Sequence, residues 1–260
     1  MKITILSDNH AGSFLKAEHG LSYLIEHKGQ KILFDTGQSD LFLKNAAHLN
    51  IDIEDIETVV LSHGHYDHGN GLIYATGKKL ICHPGCFVKR YRKTDKGYIG
   101  LNRTREQLSC MFSLITTVEP LPITDSVIFL GQIPRVTDFE SVNTPFVFEN
   151  DLPDFVDDDS ALAVVLPIGI YVITGCGHSG IVNTLEYAKN VTGVNKICGI
   201  SGGFHLKEND LQTRETVRYI KQNNISYLFP SHCTGLPALC AFHNEFGISL
   251  ARTGDTMSIR

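Results

Sequence analysis

A nine-residue segment rich in histidine constrains the fold of this chain more than any other feature. Residues 61–69 read LSHGHYDHG, so three imidazoles and one carboxylate lie close together, at His63, His65, Asp67 and His68. The segment continues the apolar run ETVVLS, which is typical of a strand buried on both faces. Because neutral imidazole and carboxylate bind Zn²⁺ and neighbouring first-row ions, we expect a sheet strand that ends in a loop of metal ligands.

The spacing within this segment indicates one shared site. Alternate side chains of an extended segment project to one side, so we expect His63, His65 and Asp67 to point together, with His68 starting the next turn. Glycines such as Gly64 are expected to supply the backbone freedom that the bend requires. The alternative is a polar surface loop, but so many histidines at a strand end serve no packing purpose.

Three more histidines stand directly after predicted strands. The runs IYVITGCGH, CGISGGFH and LFPSH end in His178, His205 and His232. Ligands of α/β sheets bind beyond the carboxyl ends of strands, so we expect these loops to contribute to one site. We interpret His178 and His232 as metal ligands and favour a substrate contact or support of a ligand for His205. The other histidines are expected to be ordinary, at positions 10, 19, 27, 48, 83 and 243.

The rest of the chain reads as a single α/β domain over residues 1–260. Hydrophobic residues make up 42% of the sequence, which is enough for a full core. The predicted strands are KITIL, a hairpin in LSYLIEHKGQKILFDTG, ETVVLS, SVIFL, ALAVVLP, IYVITG, KICGIS, ISYLFP and residues 257–259. The predicted helices cover residues 39–49, 103–112, 181–190, 211–222 and 236–246. A sheet-rich beginning followed by alternating strands and helices predicts layers of helix, sheet, sheet and helix.

Charge and hydropathy disfavour several classes of partner. The net charge of −5 lacks the electrostatic footprint of a nucleic-acid binder, and the basic stretch at residues 89–105 is expected to be a solvated loop and helix face. No apolar run approaches the roughly 20 residues of a membrane span, and the first residues lack a secretory signal. We therefore expect a cytoplasmic protein with a small-molecule substrate, no nucleic-acid or membrane partner, and reduced, mostly buried cysteines. The sequence leaves the oligomeric state open.

The H-x-H-x-D-H pattern at residues 63–68 resembles the signature of the metallo-β-lactamase superfamily. Residues 34–37 (FDTG) look like the early D-x-G element of that superfamily, whose aspartate supports the metal loop. Within the superfamily the chain resembles the 7,8-dihydropterin-6-methyl-4-(β-D-ribofuranosyl)aminobenzene 5′-phosphate synthase group, through GLSYLIEHKGQKILFDTG, GCGHSGIVNTLEYAK, SGGFHL and PSHCTG. This resemblance implies a four-layer αββα sandwich.

The resemblance also implies a cofactor of one or two zinc ions, with manganese as an alternative. It assigns ligands to two positions: His63, His65 and His178 to one, and Asp67, His68 and His232 to the other. A bridging aspartate commonly stands in a T-G-D turn of the superfamily, whereas the matching turn here is TGC, ending in Cys176. Cys176 is either a thiolate ligand or a small residue in a tight turn.

A metal-dependent hydrolase is the function that these residues favour. Metal-activated water would attack a small ester or phosphoester, with Asp67 orienting the water or accepting its proton and His205 stabilising negative charge on a substrate oxygen. The resemblance also implies a synthase that joins a pterin diphosphate to an aromatic ribosyl phosphate. A non-catalytic metal-binding or sensing protein is a further alternative, and a di-iron redox protein is disfavoured because such relatives have a carboxylate where this chain has His65. The acidic run at residues 157–159 is expected to be a solvated turn.

Overall fold

The computed structural model describes residues 1–260, and the predicted strands and helices follow one another in it in the predicted order, with further short elements between them. The strands are β1 (Lys2–Ser7), β2 (Ser22–His27), β3 (Gln30–Phe34), β4 (Thr58–Val60), β5 (Lys79–Cys82), β6 (Arg90–Arg92), β7 (Ser113–Thr116), β8 (Leu121–Pro122), β9 (Val127–Phe129), β10 (Phe146–Phe148), β11 (Ala161–Leu166), β12 (Gly169–Thr174), β13 (Ile197–Gly203), β14 (Tyr227–Ser231) and β15 (Thr256–Ser258). The helices are α1 (Leu41–His48), α2 (Tyr66–Gly69), α3 (Arg105–Ser109), α4 (Ile181–Thr192), α5 (Leu211–Gln222) and α6 (Leu236–Phe246), with 3₁₀ helices at Asn70–Tyr74 and Pro84–Phe87. None of these helices has the length and apolar composition of a membrane span.

The predicted elements are all present, with small shifts at their ends. The helix predicted from Ser39 begins at Leu41, because Asp40 takes the N-cap position and the Ser39 hydroxyl accepts the Leu41 N–H at 3.1 Å. The hairpin between β2 and β3 turns through Lys28 and Gly29, which both have positive φ, at 49° and 77°. Two such residues give the turn the twist of its flanking strands.

The chain divides into two units, each with its own sheet. The first unit comprises Met1–Val118, Pro145–Asp154 and Arg252–Arg260, and the second comprises Glu119–Thr144 and Phe155–Ala251. That the whole chain is a single domain stays a prediction.

The sheet of the first unit positions two loops at one edge. Its seven strands lie in the order β15-β1-β2-β3-β4-β5-β7, antiparallel from β15 to β3 and parallel from β3 to β7. The carboxyl ends of β3 and β4 therefore lie side by side, and they lead into Asp35 and into the histidine-rich segment. Apolar side chains such as Leu33, Val59 and Phe42 form the buried core beneath these loops.

A two-stranded ribbon of β6 and β10 also belongs to the first unit. Most of the basic stretch around it is exposed, but Arg90 is 1% exposed, and its Nε lies 3.3 Å from Oδ2 of the equally buried Asp154. The expectation of a solvated stretch is therefore wrong for Arg90. A buried guanidinium is stable only beside a carboxylate and hydrogen-bond acceptors, and here Gly85 also supplies a carbonyl oxygen.

The sheet of the second unit gathers three histidine-bearing loops at one edge. Its six strands lie in the order β14-β13-β12-β11-β9-β8, and β12, β13 and β14 are parallel neighbours. All residues of β12 and β13 are buried, which explains their continuous apolar runs. The helices α4, α5 and α6 pack on this sheet through residues such as Leu185, Ile220 and Phe242.

Candidate metal centre

The first unit brings His63, His65, Asp67 and His68 together after β4. All four are buried, with exposed fractions of 0 to 5%. Nε2 of His63 lies 2.9 Å from Nδ1 of His65, and the rings of His63 and His68 are 4.2 Å apart at their centroids. The expectation that Asp67 alternates with the two histidines along an extended segment is wrong, because α2 begins at Tyr66 and places Asp67 and His68 in its first turn.

A buried carboxylate, that of Asp35, holds this loop. Its Oδ1 accepts the Ser62 N–H at 2.7 Å, and its Oδ2 accepts the Ser62 hydroxyl at 2.7 Å. The same Oδ2 lies 2.7 Å from Nδ1 of His68. A histidine that donates Nδ1–H to a carboxylate keeps the lone pair of Nε2 for a metal ion. This is the support of the metal loop that the D-x-G resemblance implies.

The electrostatic environment keeps His63 neutral. Burial, followed by the neighbouring imidazoles of His68 and His65, holds the pKa of His63 well below its usual value. A neutral imidazole is the form that binds a metal ion. Gly64 is needed in this segment for space rather than for backbone freedom, because a Cβ there would collide with the backbone carbonyl of Cys86.

One residue of this cluster, His19, was expected to be ordinary. Nε2 of His19 lies 3.1 Å from Oδ2 of Asp67, although the His19 side chain is 53% exposed. The sequence does not mark His19, since it precedes strand β2 rather than following a strand. The adjacent Gly20 is the one local signal, because a Cβ there would come within 2.7 Å of the Asp67 carbonyl oxygen.

The second unit brings His178 and His205 together and places His232 at the same sheet edge. The ring centroids of His178 and His205 are 4.3 Å apart. His205 follows β13 with a φ of 49°, and His232 follows β14 with a φ of 50°. Left-handed backbone at non-glycine residues costs energy and is concentrated at functional sites. His178 and His232 are 9% and 7% exposed.

A pair of buried cysteines lies beside these histidines. Sγ of Cys233 accepts the backbone N–H of His205 at 3.3 Å and lies 3.4 Å from the carbonyl oxygen of Cys176. The ligand atoms of Cys176, His205 and Cys233 all lie within 4.8 Å of one another. Burial opposes ionisation of Cys233, but hydrogen bonds with Cys176 and His205 and the electrostatic influence of His232 outweigh it and hold the pKa of Cys233 well below the usual value. Five of the seven cysteines are buried, as expected, but the sequence did not indicate the place of Cys233 in this cluster.

The acidic run at residues 157–159 is not the solvated turn that was expected. Asp158 and Asp159 are 2% and 1% exposed. Oδ2 of Asp159 accepts the backbone N–H of Ser179 at 2.8 Å, which fixes the loop that carries His178. Burial raises the pKa of Asp159 to about 6.

A second carboxylate, that of Glu140, fixes the other end of the His178 loop, where α4 begins. It accepts the backbone N–H groups of Val182 and Asn183, each at 2.8 Å. These groups belong to the first turn of the helix, where a negative charge is stabilising.

Comparisons with known proteins show the family to which this chain belongs. The sequence model of the metallo-beta-lactamase superfamily matches residues 15–191. An uncharacterized protein of Methanocaldococcus jannaschii is 37% identical over 245 residues, which cover 91% of this chain and 92% of that protein. The 7,8-dihydropterin-6-methyl-4-(beta-D-ribofuranosyl)-aminobenzene-5'-phosphate synthase of the same organism is 29% identical over 269 residues, which cover 95% and 92%.

A solved structure is similar over the whole chain. It is that of Tm1679, described as a metal-dependent hydrolase of the beta-lactamase superfamily. Its TM-score is 0.89 at 30% sequence identity, and the match covers 100% of this chain and 99% of Tm1679. The fold class and the resemblance predicted from the sequence motifs are confirmed.

Proposed function

Because this chain belongs to the metallo-β-lactamase superfamily of metal-dependent enzymes, we propose that it is a metal-dependent hydrolase of a small ester or phosphoester. The observation that carries the proposal is the contact between Asp35 and His68 beneath a cluster of buried imidazoles. A carboxylate in this place serves metal binding, because it orients the imidazole and fixes its tautomer.

We assign the ligands as the superfamily resemblance implies. His63, His65 and His178 hold one ion, and Asp67, His68 and His232 hold the other. Cys176, in the turn where the superfamily commonly has an aspartate, would contribute a thiolate ligand. That all these residues serve one centre is part of the proposal.

The chemistry of the donors fits a metal ion of the zinc type. His63 is neutral and His68 presents Nε2, which are the states that ligation requires. Imidazole nitrogen with one carboxylate is a common set for zinc, and manganese is the alternative.

Two residues would carry the reaction beside the metal ligands. A bound ion supplies a water of lowered pKa and polarises the attacked oxygen. The Asp67 carboxylate orients the attacking water and accepts its proton. His205, beside His178, stabilises the negative charge that develops on a substrate oxygen.

The test is turnover by the Asp67→Ala variant in a screen of chromogenic esters, phosphomonoesters and phosphodiesters. We expect the wild type, loaded with zinc or manganese, to hydrolyse at least one class and Asp67→Ala to lose at least about 10²-fold in kcat. Asp55→Ala is the control, since its side chain is 62% exposed and pairs only with Lys31. A fully active Asp67→Ala variant refutes the role of Asp67.

A transferase is the second candidate, favoured by the likeness to the dihydropterin synthase over 95% of the chain. It would join a pterin diphosphate to an aromatic ribosyl phosphate. Release of diphosphate with that pair, and no turnover of simple esters, would favour the synthase over the hydrolase. In either case a small-molecule substrate, a cytoplasmic location and no nucleic-acid or membrane partner are part of the proposal.

A further inference from the structure

The segment before β2 carries His19 to the acidic ligand of the proposed centre. Nε2 of His19 lies 3.1 Å from Oδ2 of Asp67, which is hydrogen-bond distance. Nε2 of His68 lies 3.8 Å from the same oxygen. Oδ2 of Asp67 thus lies between an exposed and a fully buried imidazole.

The tautomer of His19 follows from its other neighbour, Asn9. Oδ1 of Asn9 accepts the backbone N–H of Gly20 at 3.3 Å, which assigns the other amide atom as nitrogen. That nitrogen, Nδ2, lies 3.3 Å from Nδ1 of His19 and can only donate to it. A neutral His19 that accepts at Nδ1 carries its hydrogen on Nε2, so Nε2 donates to Asp67 rather than offering a lone pair.

The backbone around His19 is fixed as well. The Leu21 N–H donates to the Asp67 carbonyl oxygen at 3.2 Å, which ties the segment to the metal loop. The Gln38 side chain donates to the His19 carbonyl oxygen at 2.9 Å, and the Gln38 N–H donates to the Glu18 carboxylate at 3.1 Å. Such bonds hold a side chain in place although it is half exposed.

We propose that His19 is a positioning residue, which holds Oδ2 of Asp67 by a hydrogen bond from Nε2 and so fixes the orientation of the carboxylate toward metal and water. The inference rests on the proposed role of Asp67. The imidazole restrains the carboxylate, and Asn9 restrains the imidazole. Partners of this kind typically change metal affinity or activity by about 10- to 100-fold.

The test compares His19→Ala with His19→Gln in the full chain. Glutamine can donate to Asp67 through its amide but lacks the imidazole nitrogen with which a histidine binds zinc. We expect His19→Ala to weaken binding of the second zinc equivalent about 10- to 100-fold, measured in competition with a chromophoric chelator. We also expect it to lower kcat about 10- to 100-fold, a larger factor than the rise in KM. His19→Gln should restore most of both, and His10→Ala, an exposed histidine of the neighbouring loop, should match the wild type.

A spectroscopic readout separates a hydrogen-bonding imidazole from a metal ligand. We expect the ¹⁵N shifts of His19 in the zinc-loaded chain, assigned by their loss in His19→Gln, to be those of a ring that carries its hydrogen on Nε2 and has no metal bound there. A metal-bound Nε2, or a His19→Gln variant as impaired as His19→Ala, overturns the inference. If His19→Ala has the metal affinity and kcat of the wild type, the inference about His19 is overturned and the proposed function stands. If the wild type binds no metal and hydrolyses no ester, both the inference and the proposed function are overturned.

Discussion

Replacing Asp35 by asparagine isolates the effect of one buried carboxylate on a metal ligand. Asp35 is fully buried with a φ of 57°, a left-handed conformation that asparagine also adopts, so the exchange leaves the backbone unstrained. If the asparagine oxygen keeps the bond from the Ser62 N–H, its NH₂ group faces Nδ1 of His68. His68 must then accept at Nδ1 and carry its hydrogen on Nε2, where a metal ligand needs a lone pair.

The expected loss of metal affinity follows from the hydrogen bonds that Asp35 accepts. Asp35 accepts three hydrogen bonds of 2.7 Å, and the loss of one to a charged partner costs about 1.5–3 kcal/mol. The loss of a carboxylate behind a ligating histidine weakens metal binding by about 10- to 100-fold. We therefore expect the ion held by His68 to bind about 10- to 100-fold more weakly, while the ion assigned to His63 changes less.

The assay is zinc titration of the metal-free chain against a chromophoric chelator, with circular dichroism to check the fold. Asp55→Asn is the matched control, because its carboxylate is exposed and pairs with Lys31. Wild-type affinity for both ions in Asp35→Asn would refute the argument that this carboxylate sets the tautomer of His68.

Three further predictions concern the unfolding free energy of the metal-free chain. The folded pKa of His63 lies below the unfolded value of about 6.5, so the unfolded chain binds more protons and stability falls as pH drops below about 6.5. In urea titrations from pH 8 to pH 5, the unfolding free energy should fall less in His63→Gln than in the wild type. An equal fall in both would contradict a lowered pKa of His63. Asp159 has its folded pKa raised to about 6, so its contribution falls as pH rises from about 4 to about 6. Asp159→Asn should gain up to roughly 3 kcal/mol over the wild type at pH 7 and lose that advantage near pH 4; a gain independent of pH would count against it. Glu140→Ala leaves two N–H groups of α4 without their acceptor and should lower stability by roughly 2–4 kcal/mol in thermal denaturation, whereas a loss below about 0.5 kcal/mol would contradict the capping role.

Local signals predicted the long helices and long strands well, whereas α2 was not predicted and α3 covers only Arg105–Ser109 of the predicted residues 103–112. The helix α5 has the predicted bounds, and in the structure Asp210 caps it by accepting the Thr213 N–H at 3.0 Å. The end of α6 is marked by Gly247, whose φ of 67° terminates the helix. The ribbon of β6 and β10 was not predicted, because each strand has three residues and pairs with a partner far away in the chain.

In the candidate site, too, the features that are local in the sequence were predicted and the contacts between distant segments were not. Its histidine-rich segment was visible because the three histidines and the aspartate lie close in sequence and follow a strand. The contact of His19 with Asp67 was not, because it joins distant segments. Asp159 was misread because its charge run is typical of solvated turns, whereas its carboxylate is buried against the Ser179 N–H.

The central proposal is that the chain binds metal ions and that His63 and His178 are among the ligands. Elemental analysis of protein purified without added metal, for the wild type and the His63→Ala/His178→Ala double variant, tests it most directly. The account predicts two equivalents of zinc or manganese per wild-type chain and their loss in the double variant. No bound metal in the wild type, even after reconstitution, would contradict the account and favour a non-catalytic binding protein that keeps the fold.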